Sequence, residues 1–250
     1  MANDLITRAF EAYRQLLVDI ERTQGEAIRR AAKVCADCLA RQGVIHIYDT
    51  GHLVSRELIN RVGGLAAMSS LNFGLSVDNP NQFRQAQGET GKGGFETDAL
   101  IVSAALKRSH IRAGDVLIIG TVSGKQTIPV ELAIQAKEHG LTTIGITSTR
   151  YSSQLQSVHP SGKRLFEVVD MVLDNGADYG DAMIEVDGLD RKICPASGIG
   201  AAMVMWALVA GIVEEMLKRG LQPTVFKSIN LPDGPEIYKQ TVDDYIRKGY

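Results

Sequence analysis

Between Asp115 and Ser148 the chain alternates strand, helix and strand with almost nothing between them, and no other stretch limits its fold as tightly. DVLIIGT (Asp115–Thr121) is an apolar run of strand length, as continuous as a strand buried on both faces requires. SGKQTIPVELAIQAKEHG (Ser123–Gly140) reads as a loop followed by a helix, with Pro129 in the first turn, where a missing N–H does no harm. TTIGITS (Thr142–Ser148) is a second strand. A helix crossing between two such strands makes them parallel members of one sheet.

The rest of the chain extends that unit. Residues 3–41 predict a long helix in which Ile28, Ala31, Ala32, Cys35 and Leu39 share one apolar face, and Gly43 stops it. VIHIY (Val44–Tyr48) predicts the first strand, and a helix follows from His52 to Val62, closed by Gly63-Gly64. AAMSSL (Ala66–Leu71) and MVLDN (Met171–Asn175) predict further strands, and residues 98–109 and 197–219 further helices, the last ended by Gly220. Residues 76–98 break the pattern; they are polar, rich in Gly, Asn and Gln, and have the length of a functional lid. The fold class is therefore α/β, a doubly wound, flavodoxin-like parallel sheet flanked by helices, with a long N-terminal helix. One domain over 1–250 is expected, with a helical segment at 1–41, a core at 42–220 and a tail at 221–250.

Composition removes several functions. With 44% hydrophobic and 22% charged residues, 250 residues bury a core without disulfides or structural metal. A net charge of -2 and no run of like charges offer no face to nucleic acid. No membrane partner is expected, because no segment supplies the roughly 18 apolar residues of a span. The longest apolar stretch, Ile199–Val213, is rich in Ala and Gly and reads as a buried helix. MANDLITRAF lacks the apolar centre of a signal peptide, and three cysteines suit a reducing compartment, so a cytoplasmic location is expected.

Open parallel sheets bind ligands at the carboxyl ends of their strands. The first strand ends in Asp49-Thr50-Gly51-His52, the central one in Thr121-Val122-Ser123-Gly124-Lys125, and the next in Thr147-Ser148-Thr149. Each sets hydroxyls or a glycine at the start of a following element, where backbone N–H groups and the helix dipole favour an anion. Ser, Thr and Gly also serve there as simple caps, but three such loops at one sheet edge favour a ligand.

Other motifs fall away. GTVSGK (Gly120–Lys125) is one residue short of a P-loop, and Gln126 stands where a magnesium-binding Ser or Thr belongs. No GxGxxG follows the first strand. Cys35-Ala36-Asp37-Cys38 lies on a helix with no second ligand pair nearby, and reads as core packing. His46 lies within a strand and reads as structural, and His139 as a partner of a helix carboxyl end. His52 and His159 fall in loops near the expected site, where a functional role and an ordinary polar contact weigh equally.

Thr121-Val122-Ser123-Gly124-Lys125 after its strand resembles the signature of the sugar isomerase (SIS) domain, whose Ser-x-Ser-Gly hydroxyls and amides hold a sugar phosphate. Thr50-Gly51-His52 resembles the glycine turn opening that domain, and Ser197-Gly198 its closing serine or threonine element. Ser157-Val158-His159-Pro160-Ser161-Gly162-Lys163-Arg164-Leu165-Phe166-Glu167 and Phe226–Asn230 are similar to a bacterial subfamily described as phosphosugar or phosphoheptose isomerases. The resemblance runs from Thr23 to Asn230. Asp49 and Thr121 depart from it, standing where glycine and serine are usual. The histidine that phosphoheptose isomerases use on the last helix has no counterpart in residues 197–219.

The resemblance implies a sugar-phosphate aldose–ketose isomerase working through an enediol, without metal or other cofactor. The implied anion site comprises Thr50, Gly51, Thr121, Ser123, Gly124, Lys125, Thr147, Ser148 and Ser197, for a sugar phosphate or sulfonate. Glu57, on the helix one turn beyond His52, resembles the glutamate of related isomerases and etherases and is the first candidate base, although Arg61 at i+4 can also pair with it. Glu89 and Glu96 follow as candidates, and His52 or His159 as ring-opening or proton-shuttling groups. A sugar-phosphate lyase or etherase and a non-catalytic sugar-phosphate sensor are the alternatives. A homo-oligomer, dimer or tetramer, is expected because the N-terminal helix carries more apolar surface than one sheet covers.

Overall fold

The computed structural model describes residues 4–51, 55–87 and 93–250. Helix α1 (Leu5–Ala40) starts where the Asp4 side chain accepts the amide of Thr7 at 2.9 Å. Then come β1 (Ile45–Asp49), the single turn α2 (Ser55–Leu58), β2 (Met68–Ser70), the short α3 (Gln82–Ala86) and α4 (Phe95–Arg108). The crossover unit expected at the centre is β3 (Val116–Gly120), α5 (Thr127–Glu138) and β4 (Thr142–Thr147). A turn α6 (Thr149–Ser152), a 3₁₀ turn (Leu165–Glu167) and β5 (Met171–Asp174) follow. The chain closes with the strands β6 (Ala182–Ile184) and β7 (Ile193–Pro195) and the helices α7 (Ser197–Lys218) and α8 (Gly234–Lys248).

The five-stranded sheet has the order β2-β1-β3-β4-β5, every pair parallel, with Ile45 opposite Val116, Ile118 opposite Ile144 and Ile144 opposite Met171. Strand alternation divides the core into two layers. Val116 and Ile118 face α1 and α7, whereas Leu117 and Ile119 face α4 and α5. Helix α7 is long and apolar enough to cross a membrane by length and composition, yet it lies along α1 and buries Val204, Leu208 and Ile212 there. Its approach to the sheet is close enough to require glycine, since a Cβ on Gly200 would sit 1.9 Å from the Asn175 carbonyl oxygen.

Several expected bounds change. Of the helix expected from His52 to Val62, residues 55–58 are helical, residues 59–62 are not and residues 52–54 lie outside the described residues; the chain after it folds back so that Leu65 bridges Val225. The stretch 76–98 contains α3 and the start of α4. The tail at 221–250 holds α8, whose Ile237, Thr241 and Tyr245 repeat at i, i+4, i+8 and whose terminal Tyr250 carbonyl accepts the Thr224 hydroxyl at 2.8 Å. The antiparallel pair β6–β7 is additional to the expected strands.

Candidate functional site

The strand order reverses direction of growth between β1 and β3, so the loops after these two strands diverge and leave a crevice at the carboxyl edge. Backbone bonds lace that edge together. Thr50 donates its amide to Gly120, Thr121 to Ile146, Ser148 to Val122 and Asn175 to Thr147, each at 3.0–3.1 Å. The loop Thr121–Gln126 thus stands on a floor made by its neighbours.

Within that loop Gly124 has φ 59°, a left-handed conformation, and a Cβ there would come within 3.2 Å of Leu165, Ser152 and Thr147. Both constraints call for glycine. The amides of Ser123, Gly124, Lys125 and Gln126 have no acceptor among the described residues. Nor do the Ser123 hydroxyl and the Lys125 ammonium have a side-chain partner among them. Four consecutive unaccepted amides, a hydroxyl and a cation therefore lie at the head of the 12-residue α5, where the dipole adds positive potential. Gln126 at its N-cap makes no side-chain capping bond.

Other expected ligand groups are used by the protein. The Thr147 hydroxyl donates to the Val122 carbonyl at 3.0 Å, and that of Ser148 to Ala177 at 2.5 Å. The Ser197 hydroxyl donates to Asp181 at 2.7 Å and is buried. Thr121 is buried in the floor, while Thr50 and Gly51 are exposed at the end of β1. Gly51 has φ 136°, and its amide is taken by the Asp49 carboxylate at 2.6 Å, which holds that carboxylate in the turn.

Among the candidate bases, Glu57 is half exposed, with Arg61 at 3.4 Å. Glu96 is exposed in the first turn of α4, and His52 and Glu89 lie outside the described residues. His159 is buried, with Nε2 2.9 Å from Glu131 and Nδ1 2.8 Å from the Ser161 hydroxyl. Sequence reading passed over Tyr48. Its ring stacks on Phe73, and burial first, then the charges of Asp49 and Asp98, push its pKa up, so it stays a hydroxyl donor at the edge of β1. A lone aromatic in a strand gives no sign of this in sequence.

Residues 10–148 match the model of the SIS domain. The chain belongs to the SIS domain family. It is 32% identical over 234 residues to a UPF0309 protein of Caldanaerobacter subterraneus, covering 92% of each chain. A UPF0309 protein of Streptomyces griseus is 32% identical over 240 residues, covering 94% of this chain and 93% of its own. Among solved structures, a phosphoheptose isomerase from Francisella tularensis superposes with TM-score 0.51 at 16% identity, covering 86% of this chain and 99% of that one. One from Neisseria gonorrhoeae gives 0.52 at 16%, covering 83% and 96%. At that identity the likeness establishes the SIS fold, and the fold together with the family places this chain among proteins of sugar-phosphate-related function.

Proposed function

We propose that this SIS protein binds a sugar phosphate, or a sugar with a similar anion such as a sulfonate, through the Ser123–Gln126 loop, and interconverts its aldose and ketose forms. The run of unaccepted amides at the head of α5, beside the Ser123 hydroxyl and the Lys125 ammonium, carries the reading. Glu57 takes the proton from carbon 2 of the open-chain aldose. The freed electron pair forms the C1–C2 double bond of a cis-enediol as the carbonyl oxygen gains a proton. Return of a proton to carbon 1, with loss of the proton from the oxygen on carbon 2, gives the ketose. Tyr48 is a neutral donor for a sugar oxygen at the same edge.

One observation favours a second reading. Glu57 sits half exposed beside Arg61, as a solvated helix residue would, which suits a sugar-phosphate sensor without turnover. A cytoplasmic homo-oligomer, dimer or tetramer, completes the proposal, since Ile6, Phe10 and Val18 stand exposed along α1. Thermal unfolding across a panel of sugar phosphates and sulfonates tests the anion reading by ligand protection. Proton NMR of the protecting sugar then tests for interconversion. Protection by none of them overturns the anion site, and protection without turnover selects the sensor.

A further inference from the structure

The segment 157–165 runs behind the anion loop and holds it by two backbone bonds. Leu165 donates its amide to the Gly124 carbonyl at 2.8 Å, and Val158 donates to the Lys125 carbonyl at 3.1 Å. In a planar trans peptide the C=O and the following N–H point in opposite directions. Turning the Gly124 carbonyl toward the strap therefore turns the Lys125 amide away from it. Turning the Lys125 carbonyl does the same for the Gln126 amide. These are two of the four donors with no acceptor among the described residues.

The strap is itself knotted and pinned. The Ser157 hydroxyl donates to Lys163 at 2.7 Å and accepts the His159 amide at 3.1 Å. His159 then reaches α5, where its Nε2 lies 2.9 Å from Glu131. The tautomer follows from a neighbour. The Ser161 amide points at Nδ1 at 3.1 Å, so Nδ1 accepts and Nε2 carries the proton to Glu131. The other Glu131 oxygen takes the Gln135 amide at 2.7 Å, and Gln135 also reaches the Ala99 carbonyl at 3.1 Å. Phe95, the first residue of α4, packs edge-on against the His159 ring with centroids 5.0 Å apart. His159 thus joins the strap, α5 and α4 at one buried point. A hydrogen-bonded pair fixes direction there, which apolar packing alone would leave loose.

We infer that the Glu131–His159 pair is a positioning device for the anion site: it fixes the 157–165 strap against α5 and so aims the Lys125 and Gln126 amides at the ligand. This rests on the reading of the Ser123–Gln126 loop as the anion site. His159 here acts through the loop and touches no substrate.

Two near-isosteric variants separate the tether from the local turn. His159→Gln keeps a donor at the Nε2 position and can still reach Glu131. His159→Asn keeps an acceptor at the Nδ1 position for Ser161 and loses Glu131. Amide resonances of the full chain, free and titrated with inorganic phosphate, are the readout. Expected are unchanged Lys125 and Gln126 resonances and phosphate affinity in His159→Gln. In His159→Asn both resonances move without ligand, and affinity falls on the order of tenfold, as for one lost bond to a charged group. In the wild type, the imidazole nitrogen spectrum of His159 should show the Nε2–H tautomer, and an Nδ1–H tautomer overturns the inference whether or not the variants fold. Equal binding and unmoved amides in His159→Asn overturn it alone. Wild-type Lys125 and Gln126 amides indifferent to phosphate overturn the anion reading and this inference with it.

Discussion

The Asp181 carboxylate accepts the Ser197 amide at 2.8 Å and the Ser197 hydroxyl at 2.7 Å, and so caps α7 from 16 residues away. It also receives the Ala196 amide at 3.2 Å. Orphan donors at a helix start need such a partner, and here the chain supplies it from the turn before β6. Asp181→Ala should cost about 1–2 kcal/mol, in the range of a lost N-cap. Urea unfolding monitored by circular dichroism checks this. Ser197→Ala should leave anion affinity unchanged, because its hydroxyl is already donated inside the protein.

Ser123→Ala should act in the opposite way. The Ser123 hydroxyl has no protein partner among the described residues, so its loss should leave the melting temperature of the free protein unchanged. Removing one hydrogen bond to a charged ligand should lower affinity about 10- to 150-fold. Calorimetric titration with the sugar phosphate that protects best is the measurement. Unchanged affinity would take the anion out of this loop.

Glu57→Gln should leave that affinity near the wild-type value and lower turnover about 10²- to 10⁴-fold, as for a lost general base. Its pairing with Arg61 is solvent-exposed on both sides, so stability should change by no more than about 0.5 kcal/mol. Undiminished turnover moves the base to Glu89, Glu96 or a histidine.

His46 and Asp115 predict an acid-sensitive lock at the opposite end of the sheet. His46 Nε2 lies 3.1 Å from Asp115, whose oxygens also take the Val44 amide at 2.9 Å and the Arg112 amide at 2.8 Å. Burial, outweighing the attraction of Asp115, lowers the His46 pKa below its ordinary 6.5. The unfolded chain therefore takes up this proton more readily than the folded one. The contribution to stability is complete above 6.5 and is lost as the pH falls from there through the depressed native value. His46→Gln keeps a donor for Asp115 and cannot titrate. The difference in urea midpoint between wild type and variant should be flat above that pH and move against the wild type below it.

Exposed Ile6 and Phe10 stand at i, i+4 on α1, an apolar pair left open by the described residues. Sedimentation at micromolar protein should find at least a dimer. Phe10→Asp should shift the distribution toward monomer without unfolding the chain.

Much of this architecture can be read from residue order, because it follows from local periodicity. VLIIG is a continuous apolar run, as a strand covered by helices on both faces requires, and TTIGIT is β-branched at five of its six positions. The α1 face at Ile28, Ala31, Ala32, Cys35 and Leu39 is buried as its spacing requires. Helix α8 escaped because its inward face holds Thr241 between Ile237 and Tyr245, in a polar segment whose apolar signal is thin. The strands β6 and β7 are three residues each, too short to carry a period.

The site divides along the same line. Residue order places hydroxyls and glycines at the carboxyl ends of strands, since a strand–loop–helix unit sets that position locally. It cannot say what each hydroxyl faces. Ser148 meets a carbonyl 29 residues away, Thr147 one 25 residues back, and Ser197 a carboxylate 16 residues back, while Ser123 meets no protein acceptor among the described residues. His159 finds Glu131 across 28 residues. Such pairings arise only when the sheet closes and brings distant loops to one edge, so hydroxyls that look alike in the chain separate into structural ties and open donors in the fold.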